Sequence, residues 1–67
     1  MSDRNIGRLV YVPSDTDLLQ YHKSSPSKIF STQSPKNLIV LKEEESKLGV
    51  LFEGEVWYVD KKKVYNV

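Results

Sequence analysis

Few residues in this chain have the chemistry of a catalyst. There is one histidine, His22, and no cysteine. A zinc site built on His22 would have to complete its ligand set with carboxylates. Ser14, Asp15 and Asp17 lie near it in sequence, but a catalytic triad is defined by geometry, not by neighbourhood. Capping and turn chemistry account for those residues fully. Asp15 with Asp17, or Glu43 with Glu44 and Glu45, would work as an acid–base pair only with one carboxyl desolvated. Three successive glutamates beside lysines read instead as a solvated run. The expectation is a protein without enzymatic activity, metal or cofactor.

Binding is the better-founded reading. Lys61, Lys62 and Lys63 stand between Tyr58 and Tyr65. Basic residues beside aromatics can hold phosphates and stack bases, and small barrels bind nucleic acid in this way. A solvated turn whose lysines keep a sheet edge from pairing explains the same residues. Tyr11, Tyr21, Tyr58 and Tyr65 with Trp57 are many aromatics for 67 residues. In so small a chain the core has first claim on them, and Trp57 is assigned there. Aromatics left outside are favoured interface anchors. The expected surface therefore comprises Tyr11, Tyr21, Tyr58, Lys61, Lys62, Lys63 and Tyr65, and contacts another protein. Nucleic acid is the alternative partner, and sheet-edge pairing between copies is a third role.

The elements that must carry this surface are best patterned in residues 48–67. Leu48, Val50 and Phe52 alternate with Gly49, Leu51 and Glu53, the period of a half-buried strand. After Glu53-Gly54 the run Val56-Trp57-Tyr58-Val59 suits a pleated surface. An X-Gly pair between two such runs predicts a tight hairpin. With Glu53-Gly54 as its loop, Phe52 faces Glu55, Val50 faces Trp57 and Leu48 faces Val59. The inward face is then Leu48, Val50, Phe52, Trp57 and Val59; a longer loop would shift the register and swap the faces. Asp60 starts a turn, since its carboxylate can accept from a backbone N–H two residues on. Val64-Tyr65-Asn66-Val67 reads as a closing strand.

Upstream, residues 1–6 read as a polar, frayed tail. Gly7 to Val12 reads as a strand buried on both sides, stopped by Pro13. Residues 13–22 read either as turn chemistry leading into a short helix capped by Ser14 or Asp15, or as an irregular excursion. Residues 23–35 are Ser- and Pro-rich and read as a loop, with Ile29-Phe30 as a brief strand or a pin. Ser25-Pro26 and Ser34-Pro35 are taken as loop chemistry rather than modification sites. Leu38-Ile39-Val40-Leu41 is a strand, followed by a charged connection.

A chain of this length buries only about 60% of its unfolded surface, so a single small core is expected. Net charge is +1, which gives no general field toward nucleic acid or membrane. No apolar run has the length of a membrane span or signal core, so the cytoplasm is the expected location.

The order of strand, excursion, strand, charged turn, hairpin, short turn and closing strand resembles an SH3-like barrel. Residues 36–67 resemble the bacterial SH3 family. There, a "kGe-x-v-x-V" strand leads to a Gly turn, then "GWV", a 3₁₀ turn and a closing "YL". Asn37-Leu38-Ile39-Val40-Leu41, Phe52-Glu53-Gly54-Glu55, Val56-Trp57-Tyr58-Val59, Asp60 to Lys63 and Val64-Tyr65 stand at those places. The family's "LNVR" segment is missing, and Leu51-Phe52 replaces the usual Trp before the Gly turn. The "ALYDY" segment and paired tryptophans of the eukaryotic peptide groove are also missing. The resemblance implies an all-β, partly open barrel of about five strands, but no ligand. A minimal barrel of this kind suits a small phage accessory protein.

Overall fold

The hairpin at Glu53-Gly54 is the simplest element to derive. Glu53 (φ 56°) and Gly54 (φ 76°) both take left-handed backbone, the geometry whose twist matches paired strands. This two-residue turn sets the register Phe52↔Glu55, Val50↔Trp57 and Leu48↔Val59. The expected inward face follows. Leu48, Val50 and Val59 are buried, and Phe52 and Trp57 pack partly buried against them.

A computed structural model of the chain describes residues 6–67; most of the expected tail, residues 1–5, lies outside them. Over these residues the protein is all-β, with seven strands: β1 (Leu9–Val12), β2 (Asp17–His22), β3 (Ser25–Ser31), β4 (Lys36–Glu43), β5 (Lys47–Phe52), β6 (Glu55–Asp60) and β7 (Tyr65–Asn66). A 3₁₀ turn, Lys61–Lys63, joins β6 to β7. The strands form one sheet in the order β3-β2-β6-β5-β4-β1-β7, with antiparallel pairing throughout. Among the described residues no helix is long and apolar enough to cross a membrane.

Seven strands replace the expected five because residues 17–31 form neither a helix nor a loop. They form a second hairpin, β2–β3. Its turn, Lys23 (φ 51°) and Ser24 (φ 71°), repeats the left-handed geometry without a glycine. The Ser and Pro content that reads as loop belongs to an edge strand. Pro26 lies in β3 beside a register shift between Gln20 and Tyr21, and a sheet edge or bulge is where a residue lacking its N–H is tolerated. Leu18 and Phe30 face each other and tie the hairpin to the core.

β1 also differs from expectation. Val10 and Val12 are buried, but Leu9 and Tyr11 are 47% and 39% exposed. The strand has one buried face, because among the described residues no second layer covers the outside of this sheet. β4 takes the corner instead. Its first half pairs with β1, from Leu9↔Ile39 to Val12↔Lys36, and its second half pairs with β5. A register shift between Val40 and Lys42 lies at the start of the second half, and an unpaired residue of this kind bends a strand. In a flat sheet β1 and β2, four places apart, would lie about 19 Å from each other. Val10, Val12 and Leu18 nevertheless share one core with Val40, Leu48, Val50 and Val59. The sheet therefore curls over its own inner face.

A pair of threonines closes the curl. Thr16 and Thr32, 5% and 1% exposed, occupy the links before β2 and after β3. The Asp15 N–H donates to Thr32 O at 2.7 Å, and the Thr32 N–H donates to Thr16 O at 2.9 Å. The Thr16 N–H donates to Thr32 Oγ1 at 2.9 Å. Both hydroxyls donate to Pro13 O at 2.8 Å. Thr32→Val keeps the shape but strands the buried Thr16 N–H, at an expected cost of about 1–3 kcal/mol. Thr32→Ser keeps the hydroxyl and loses one methyl, at a cost of about 1 kcal/mol. Urea unfolding of the two variants should rank them in that order. Ser24→Gly should raise stability by about 0.5–1 kcal/mol, the left-handed strain relieved less the chain entropy lost.

Candidate functional site

The expected binding residues fall into two aromatic pairs. Tyr11 and Tyr65, on β1 and β7, have ring centroids 6.3 Å apart. Tyr21 and Tyr58, on β2 and β6, have centroids 5.6 Å apart. The pairs lie toward opposite ends of the strand order. The lysine run is also divided. The Lys61 ammonium donates to Glu43 Oε2 at 3.0 Å, and the Lys61 N–H donates to Ser46 O at 3.1 Å. Lys61 thereby fastens the 3₁₀ turn to the end of β4 and the β4–β5 link. Lys62 and Lys63 are exposed. Asp60 caps the turn, its Oδ1 accepting from the Lys62 N–H at 2.9 Å, the contact expected two residues on.

The core takes a different set of rings. Phe30, Phe52 and Trp57 pack together with centroids 5.1–6.3 Å apart and lie against the buried residues. Tyr21 and Tyr58 remain outside this set and border a cleft with Leu19, Ser46, Lys47, Val59 and Asp60. Ser24 and Glu44 line its adjoining part.

Lys47, which the sequence reading did not single out, lies across both tyrosines. Its Nζ is 4.2 Å from the Tyr21 centroid and 5.6 Å from that of Tyr58. At an exposed site such a cation–π contact is worth about 0.5–1 kcal/mol. Half of this arrangement follows from the predicted hairpin. Its register sets Gly49 opposite Tyr58 and Lys47 opposite Asp60, so Lys47 is a diagonal neighbour of Tyr58 on one face. Tyr21 had no such signal, because β2 was not expected.

Gly49 and Gln20 hold the pair in place. A Cβ on Gly49 would lie 3.2 Å from Tyr58 Cε1, 3.2 Å from Lys42 Cβ and 3.3 Å from Val56 Cγ1. The Tyr58 ring therefore rests against bare backbone. β2 meets β6 at the single register pair Leu19↔Tyr58. Gln20 reinforces this joint, its Nε2 donating to Glu55 Oε1 at 2.6 Å and to Val56 O at 3.2 Å.

This arrangement can hold a partner group between rings and charges. Among the described residues no three His, Cys, Asp or Glu side chains cluster as metal ligands. Compared with known proteins, the chain matches no family model, no curated protein and no solved structure.

Gly49→Ala should push the Tyr58 ring off its bed. The expected cost is about 1 kcal/mol of stability, with weakened ring-to-ring NOEs between Tyr21 and Tyr58. Unchanged NOEs would show that Gly49 does not position the ring.

Proposed function

We propose that this chain is a non-enzymatic binding module of SH3-like, partly open barrel form that contacts another protein through the Tyr21–Tyr58 cleft. The barrel reading is supported by the order of elements. A strand, an excursion, two further strands, a hairpin partner, a 3₁₀ turn and a short closing strand follow one another along the chain. The binding reading rests on one observation. In a chain with little core to fill, two tyrosines stay partly exposed and in mutual contact, while other aromatics supply the interior. Partly exposed tyrosines on a rigid sheet are suited to anchoring a protein partner at low entropic cost. Lys62 and Lys63 extend this surface beyond Asp60.

Nucleic acid is the less favoured partner. Lys61 is engaged by Glu43 and Lys47 by the tyrosines, which leaves Lys62 and Lys63 as the lysines of this surface open to phosphates. An affinity pull-down with wild type, Tyr58→Ala and Lys62→Glu tests the proposal. Tyr58→Ala should lose the partner by a hot-spot margin of about 2 kcal/mol, and Lys62→Glu should weaken it less. If both folded variants retain every partner, the surface is wrong. A nucleic-acid ligand would instead show affinity falling with salt, with a log–log slope of about −0.7 per phosphate contact on single strands.

A further inference from the structure

We propose that the Tyr21–Tyr58 pair is a seat for a cationic side chain of the partner protein, and that Lys47 fills it as a tethered stand-in until the partner displaces it. This rests on the protein-binding reading above and names the chemistry that the cleft selects.

Lys47 lies at the start of β5 with a third of its side chain exposed, so water is within its reach. Its ammonium instead lies over two π faces. Glu44 Oε1 stands 3.9 Å away as an ion-pair partner without a hydrogen bond, so the rings and this carboxylate together define the position. The charges that line the cleft complete the argument. Besides Lys47 they belong to Asp60, whose Oδ1 also accepts from the Lys62 N–H, and to Glu44. The Lys61 ammonium is turned to Glu43 instead. With Lys47 withdrawn, two ring faces and two carboxylates remain and no cation. That combination attracts an arginine or lysine and repels an acidic segment. Lys47 is held by an exposed contact of modest strength, so a competing cation with further contacts of its own can replace it.

Choline, a cation without N–H donors, and its neutral isostere dimethylbutanol isolate the charge preference. Each is titrated by NMR against the ring protons of Tyr21 and Tyr58, in wild type, Lys47→Gln, Lys47→Arg and Tyr21→Leu. Choline should give saturable shifts larger than those of its isostere. Lys47→Gln should bind it about two- to five-fold more tightly, the range of one exposed cation–π contact. Lys47→Arg should match wild type, and Tyr21→Leu should lose the shifts. Backbone amide spectra establish that each variant is folded. Equal responses to choline and isostere would overturn the proposal, as would a Lys47→Gln variant no tighter than wild type. If choline fails while Tyr58→Ala still releases a protein partner, the cation seat falls and the docking surface stands. If choline behaves as expected but Tyr58→Ala retains every partner, the seat does not serve the proposed docking.

Discussion

Two threonine hydroxyls that share one proline carbonyl hold the ends of this sheet together. The constraint behind them is size. A single sheet with no helix or second sheet to cover it can bury a face only by folding onto itself. That requires two distant strands to converge, and the segments that bring them together must satisfy their own backbone groups without a ladder. Pro13 O, Thr16 and Thr32 do this through side chains as well as main chain. The link between β1 and β2 thus becomes continuous with the link between β3 and β4. The β2–β3 hairpin is anchored at both of its ends by that seam.

What could be read in advance follows from where local chemistry and global fold agree. Glu53-Gly54 names its turn type by residue identity, and the turn then fixes the β5–β6 register and its buried face. Asp60 similarly announces a cap. Lys23-Ser24 makes the same kind of turn with residues that disfavour it, so no local signal marked the second hairpin. The composition of β3 reflects its place at the edge, where Ser, Lys and Pro are admitted, and edge strands look like loops in sequence. β1 misled for the opposite reason. Its unbroken apolar run reads as doubly buried, yet Leu9 and Tyr11 face outward, with no second layer over them among the described residues.

The candidate site was half legible on the same grounds. Tyr58 and Lys47 belong to the predictable hairpin, while Tyr21 belongs to the unpredicted one. Lys61, Lys62 and Lys63 look equivalent in sequence, but the 3₁₀ turn gives them separate roles. One fastens the turn to β4 and two face solvent. The division of aromatics is similar: three rings complete the interior, and the tyrosines, whose hydroxyls favour water, remain at the outside.

The two ends of the sheet are unequal, and each resists extension for its own reason. β3 carries Pro26, Lys28 and an irregular register along its rim, the features that discourage another chain from adding on. β7 has only Tyr65 and Asn66, with Tyr65 60% exposed and neither proline nor charge in the strand. Open-ended fibre growth by strand addition needs receptive rims at both sides of every subunit. A rim of two residues offers another chain almost no ladder to extend, so strand addition is discouraged at β3 by composition and at β7 by length.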